Sequence, residues 1–476
     1  MKKYLAFFLL LSVTALVYGR PQKLVIKTDK ESVELRYWPL DGKQLPFYSL
    51  YSPVIVTCRQ MTEIELPCNE TIYKISLGKG KTSLVYAIAG AVDTVSLYRD
   101  SVYFSGHNQT YNLYLEEAEK ADEYCRSYSY TRNHPLAKVQ SLAIFKTIVA
   151  DRKAKDEALL NKEIPVGRFM LQQQRFIDLR YKALFLKKAI ALYASSDFSD
   201  DWMNEFKAMD FHFMDSISRQ SGFFPKILED YVFIKSFVLD GINPKTVDEE
   251  SVNTFLFEKY CHLLSDKNLE YVAAYLLYND IFQKRYSKDI PSLYDKYIAL
   301  FPDNPYIKIL LPEVAKISAL YHQKPDNDKI QIVCYETEPE DFTDMMRPFA
   351  GKVVYINIWA TTCSPCIQSF SNVAAMKQHF PDSKDIVLLY LSIDRDERHE
   401  KWNRMINYYN LEGYHYRVNK HTSKIIYSAF KDSKGILTIP RYVIVDKNGK
   451  IAFMNAAAKY GRGARKGYMP RGITEL

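Results

Sequence analysis

The sequence predicts a multidomain chain with an N-terminal β-sandwich-like domain, an all-α middle region and a C-terminal α/β domain. Three observations carry this prediction. Apolar and polar residues alternate in short runs up to about residue 115, the apolar spacing changes to steps of three and four from about 116 to 325, and a β, α, β, α order closing on a β-hairpin occupies 326–455. A chain of 476 residues, 47% hydrophobic and 25% charged, can bury more than one core, which agrees with two or three domains.

Residues 1–19 read as an export signal. Lys2 and Lys3 give the basic start, Tyr4 to Val17 the apolar segment, and Val17-Tyr18-Gly19 the small-residue cleavage geometry. The segment is short for a membrane span, and no Cys lies near the cut to carry a lipid. An uncleaved signal anchor is the alternative. No other stretch approaches roughly eighteen uninterrupted apolar residues, so no integral membrane segment is expected after signal removal. The formal net charge is +8, but the basic residues are dispersed, which points to a solvated surface and away from a nucleic-acid partner.

Residues 20–115 alternate as strands do: Lys23 to Lys27, Val33 to Tyr37, Ile72 to Ile75 and Thr94 to Leu97. A small β-sandwich is the expected outcome. Cys58 and Cys68 flank a polar segment of this region and are either a hairpin-closing disulfide or two buried thiols. Residues 116–325 are read as helical. Phe176, Leu179, Tyr181, Leu184, Leu186, Ala189, Leu192 and Tyr193 form a broad apolar face, with Arg180, Lys182, Lys187 and Lys188 supplying charge. Helix-sized blocks at Tyr271–Phe282 and Ser292–Phe301 follow, with Pro302-Asp303-Asn304-Pro305 as a breaker. Cys261-His262 is adjacent on a helix, so the two point to different faces and form no dyad, and Cys261 is expected in the core.

The chemistry-bearing stretch is Cys363-Ser364-Pro365-Cys366. It follows the apolar strand Val353 to Ile358 and Trp359-Ala360, and opens a helix that runs through Phe370, Val373, Ala374, Met376 and Phe380. Two thiols so placed can face one spot, one attacking a disulfide and the other resolving the mixed disulfide. Pro365 suits a first helical turn, where its missing N–H would have no partner. A zinc site would need a second Cys or His pair, and His379, His399, His415 and His421 are scattered singly, so no metal is expected. Ile386 to Leu391 reads as a buried strand, 397–409 as a second helix, and Asp446-Lys447-Asn448-Gly449-Lys450 as the turn of a hairpin.

These motifs together resemble a known family. Gly351-Lys352-Val353-Val354, Trp359-Ala360-Thr361 before the CxxC, Thr438-Ile439-Pro440 and Asp446-Lys447-Asn448-Gly449 are similar to TlpA/ResA-type thioredoxin-like thiol-disulfide oxidoreductases of bacterial, Bacteroidetes-like cell envelopes. The resemblance implies a thioredoxin-like fold for 326–455. It also implies Cys363 as nucleophile and Cys366 as resolving thiol, with Trp359, Ser364, Pro365, Ile439 and Pro440 in support. Pro440 is implied to be cis, which would leave the Ile439 backbone free to pair with a substrate strand. The only cofactor implied is the redox-active disulfide, with protein thiols and disulfides as partners, a membrane electron donor, a periplasmic or envelope location and the reducing direction. Asn357 falls where thioredoxin carries a buried acid and where this subfamily often has Asn. The region ending at Phe104-Ser105-Gly106 and followed by Tyr111-Asn112-Leu113 is similar to the β domain fused to such reductases.

The chain departs from the family at Thr362, where Trp is usual, at Ser369 and Ser371, where Glu and Pro are frequent, and at 456–476, a basic, Gly-rich tail in place of a closing helix. A peroxiredoxin is disfavoured because Ile356 and Ala360 stand at the offsets where its motif has Pro and Thr or Ser. The alternative from another class is a non-enzymatic interaction protein with a degenerate thioredoxin domain.

Overall fold

In the computed structural model, which describes residues 21–40, 53–67, 70–77, 81–99, 101–128, 134–209, 215–243, 246–247, 251–322, 327–370, 385–432 and 435–455, the alternating runs become strands. The expectations for the signal segment, Cys68, most of the helix after Phe370 and the tail lie outside the described residues. The chain divides into two compact units, Met1–Glu249 with Phe255–Tyr275, and Glu250–Thr254 with Leu276–Leu476.

Among the described residues the first unit has eight strands before its helices: β1 (Gln22–Thr28), β2 (Val33–Pro39), β3 (Val54–Cys58), β4 (Met61–Leu66), β5 (Thr71–Leu77), β6 (Lys81–Ala87), β7 (Val92–Tyr98) and β8 (Ser101–Gly106). They form two four-stranded sheets, ordered β4-β1-β7-β8 and β3-β2-β5-β6. Leu24, Ile26 and Val95 of one sheet share a core with Leu35, Ile75 and Val85 of the other, so the period-two pattern has its physical cause in a sandwich. Cys58 is a buried thiol outside any disulfide. Gly106 closes the strands at φ +118, where a Cβ would lie 2.6 Å from the Val92 carbonyl oxygen, so no larger residue fits.

Helix α1 (Gln109–Ser127) follows directly, taking in Tyr111, Asn112 and Leu113. Next come α2 (Leu142–Glu163), α3 (Arg168–Ala194), α4 (Asp200–Ala208) and α5 (Phe224–Phe233), which runs into a π-helical turn at Ile234–Leu239. Helix α3 is buried on nearly every side, and two of the residues expected to supply charge, Arg180 and Lys188, are each 2% exposed. Arg180 meets Asp122 of α1 and Asp156 of α2, both at 2.5 Å, while Lys188 donates to the Ala137 carbonyl at 3.1 Å. Long cationic side chains here satisfy interior polar groups instead of facing water. Helix α6 (Val252–Leu263) presents Cys261 to solvent, so the expected core position is corrected: the flanking Tyr260 takes it.

Helix α7 (Asp266–Phe282) precedes α8 (Ile290–Leu300) and α9 (Ile307–His322). The breaker between the last two works through Asn304, whose Oδ1 accepts the N–H groups of Tyr306 and Ile307 at 3.0 and 3.1 Å. The sheet of the second unit contains β9 (Ile330–Ile332), β10 (Val353–Trp359), β11 (Ile386–Ser392), β12 (Gly413–Arg417), β13 (Arg441–Val445) and β14 (Ile451–Phe453). Its order is β14-β13-β10-β11-β12-β9, parallel from β10 through β9 and antiparallel at β13 and β14. β10 is central and buried along its whole length, as an apolar run in a parallel sheet should be. Around it lie the short α10 (Phe342–Met346), α11 (Ser364–Ser369), α12 (His399–Tyr408) and α13 (Lys420–Phe430). β9, β12 and α13 were not expected, so the β, α, β, α, hairpin order gains a strand and a helix before the hairpin.

Candidate redox site

The site stands where the parallel strands β10 and β11 end. Trp359, the last residue of β10, is fully buried, and its ring meets Phe370 edge-on at 5.0 Å. After Ala360, Thr361 and Thr362 the chain turns at Cys363, whose N–H donates to the Ala360 carbonyl at 3.0 Å. Cys363 is the N-cap of α11, with Ser364 and Pro365 in the first turn, and its Sγ accepts the Cys366 N–H at 3.2 Å. Cys363 and Cys366 are joined as a disulfide with Cα atoms 5.2 Å apart. Cys363 is half-buried and Cys366 fully buried, so only the first sulfur is accessible from outside. Ser369, noted in the sequence as an absent Glu, donates to the Cys366 carbonyl at 2.6 Å.

The Ile439-Pro440 peptide is cis. Ile358 pairs with Arg441 across the antiparallel β10/β13 ladder, which sets Pro440 beside the end of β10, on the side from which the CxxC turn departs. Ile439 and Pro440 are half-buried.

Beneath the turn, one row crosses the sheet: Tyr442, Asn357, Tyr390 and His415 are successive register neighbours on β13, β10, β11 and β12. Asn357 is 5% exposed, and among the described residues its Oδ1 has no hydrogen-bond partner. His415 stacks on Tyr390 at 4.8 Å, and its Nε2 lies 2.6 Å from the Leu411 carbonyl. A carbonyl only accepts, so Nε2 carries the proton and Nδ1 is left as the unprotonated nitrogen. Burial pushes this imidazole down to about 4, against a small opposing effect of the Leu411 bond. Burial likewise raises the Tyr442 phenol, with a bond to Ser369 acting the other way.

Sequence reasoning quoted Thr361 only as part of a motif and passed over the two residues it meets, Ser392 and Asp394. Asp394, 2% exposed, accepts from the Thr361 N–H at 2.8 Å, from Thr361 Oγ1 at 2.7 Å and from Ser392 Oγ at 2.7 Å. The signal available was an acid two residues past a Ser at the end of an apolar run, which on its own reads as surface. Among the described residues no cluster of His, Cys, Asp or Glu could hold a metal ion, and no helix is long and apolar enough to cross a membrane.

A family model described as thioredoxin-like matches residues 351–451. Two curated relatives, the thiol-disulfide oxidoreductases ResA of Bacillus thuringiensis subsp. konkukian (strain 97-27) and of Bacillus cereus (strain ATCC 10987 / NRS 248), are each 26% identical over 106 residues, 22% of this chain and 56% of theirs. The chain thus spans about half the length of the curated relatives it matches. The solved thioredoxin domain of a thiol-disulfide oxidoreductase from Bacteroides vulgatus is 25% identical, covering 23% of this chain and 73% of that one, with a TM-score of 0.20. A second Bacteroides vulgatus structure, a provisionally named thiol-disulfide oxidoreductase, is 33% identical over 25% of this chain and 76% of its own, with a TM-score of 0.19.

Proposed function

We propose that this chain, whose C-terminal domain belongs to the TlpA/ResA-type thioredoxin-like thiol-disulfide oxidoreductases, reduces disulfides of other proteins in the cell envelope. The observation that carries the reading is the asymmetry of the pair: Cys363 is accessible at the N-cap, and Cys366 is buried one turn behind it, within bonding distance.

In the reduced protein the Cys363 thiolate attacks one sulfur of a substrate disulfide. A bond forms between Cys363 and that sulfur, the substrate disulfide breaks, and the second substrate sulfur leaves as a thiolate that takes a proton. Cys366, as thiolate, then attacks Cys363 Sγ and releases the first substrate sulfur. Two electrons pass to the substrate, and the chain is left with the Cys363–Cys366 disulfide. The Cys366 N–H aimed at Cys363 Sγ favours the thiolate over the thiol. The Ile439 backbone supplies an edge on which an extended substrate segment can align. Reductant comes from a membrane electron donor, as the family resemblance implies, and an export signal at 1–19 delivers the protein to the envelope.

The test is insulin reduction by the full chain with dithiothreitol as reductant. Wild type accelerates precipitation of the insulin B chain, and Cys363→Ser reduces the rate to the uncatalysed background. A Cys363→Ser variant as fast as wild type, or a wild type no faster than dithiothreitol alone, would overturn the proposal.

A further inference from the structure

We infer that Asp394 is a positioning residue for the dithiol: through Thr361, its buried carboxylate sets the direction in which Cys363 leaves the sheet. The inference rests on the exchange chemistry proposed above and concerns what makes it fast from outside the CxxC.

Thr361 stands two residues before Cys363, and Asp394 stands two residues after Ser392, the last residue of β11. Three donors converge on the carboxylate: the Thr361 N–H and Ser392 Oγ on Oδ2, and Thr361 Oγ1 on Oδ1. The Asp394 N–H returns to Ser392 Oγ at 3.1 Å, so that hydroxyl accepts one bond, donates another and has a fixed direction. The Ile393 N–H donates to the Trp359 carbonyl at 2.9 Å, tying the two strand ends together one step earlier. Thr361 and Ser392 are fully buried, so water does not compete for these bonds.

Apolar packing could also hold two strand ends together, and burying a carboxylate is a costly way to do it. What the carboxylate adds is direction. It grips Thr361 twice, once by backbone and once by side chain, which fixes both its peptide plane and its rotamer. Only Thr362, which is exposed, then separates the clamp from Cys363, and each residue contributes just two soft backbone dihedrals. With Thr361 held, the Cys363 N–H reaches the Ala360 carbonyl and Sγ reaches the Cys366 N–H. With Thr361 free to rotate, the sulfur loses its fixed relation to that N–H and to the cis-Pro loop at once.

The experiment uses the full chain and three substitutions. Thr361→Val keeps the volume, the N–H bond and the Asp394 charge but removes the hydroxyl donor; Thr361→Ser keeps both bonds; Asp394→Ala removes the anchor. Two quantities are read: the rate of insulin reduction, and the pH profile of Cys363 alkylation in the reduced protein, followed by peptide mapping. Thr361→Val should slow reduction about tenfold and move the alkylation midpoint up by about one pH unit, with Asp394→Ala further in both and Thr361→Ser within about twofold of wild type. A purely structural clamp would lower the melting temperature of Thr361→Val while its alkylation profile and reduction rate overlay those of wild type, and that result overturns the inference. So does a Thr361→Ser variant as impaired as Thr361→Val. If wild type itself reduces no insulin, the proposed function falls, yet the alkylation profile needs no substrate: an unshifted midpoint in Thr361→Val still overturns the role of Asp394, and a shifted one supports it.

Discussion

His415 illustrates how a single buried residue links the fold to pH. It is fully buried against Tyr390, and its imidazole is held neutral by burial, down to about 4 from an ordinary 6.5. The unfolded chain takes up a proton here below pH 6.5, while the folded chain does so only near 4. Stability from this site is therefore complete above about 6.5 and is lost as the pH falls through that window, by on the order of 3 kcal/mol in total. Urea unfolding of wild type and His415→Gln at pH 7, 5.5 and 4 checks this: the wild-type value should fall more steeply, and parallel pH dependences would discard the idea. Residues also differ in how far the sequence reveals them. Cys363 and Cys366 were legible because their chemistry needs only local spacing. Asp394 was not, because an acid becomes an interior residue only when donors from another strand end, Thr361 above all, arrive to meet it. Cys261 failed in the opposite sense: a Cys is usually buried, and nothing local says which side of α6 faces water.

At the scale of elements, burial on both faces is what made a segment readable. β10, buried at all seven positions, stood out as an apolar run, whereas β12 has His415 as its one fully buried side chain and showed no apolar pattern. Helix α3 was found from its broad apolar face, but where its charges sit was not legible, because an ion pair inside a bundle and one on its surface are spelled alike in sequence. The Arg180 side chain is 3% exposed and those of its partners 26% and 21%, so α1, α2 and α3 meet around one desolvated cation. Arg180→Met alone strips Asp156 of its cation and leaves Asp122 only the more distant Arg126, at 3.9 Å, and should cost about 3 kcal/mol in chemical denaturation. Adding Asp122→Asn and Asp156→Asn removes the stranded charges and should restore a good part of that loss. A single variant within about 1 kcal/mol of wild type would mean that solvent already screens the pair.

The thioredoxin-like match, residues 351–451, is a minor share of the 476-residue chain, and sheets and helices of the first unit make up much of the rest. Exchange and partner binding can therefore be separate properties of one molecule, and the choice between a reductase and an interaction protein turns on separating them. Replacing Cys366 with Ser keeps Cys363 able to attack a substrate disulfide but removes the thiol that releases it. Expressed as the full chain, Cys366→Ser should accumulate mixed disulfides with envelope proteins, visible as bands that collapse on reduction. Replacing Cys363 as well should abolish those bands while leaving untouched any partner held non-covalently. Covalent capture by the single variant and none by the double assigns the catch to Cys363. If the single variant captures nothing under oxidising conditions and wild type reduces no disulfide in vitro, the pair is not used for exchange, and partners retained by both variants would identify the chain as an interaction protein built on a thioredoxin-like scaffold.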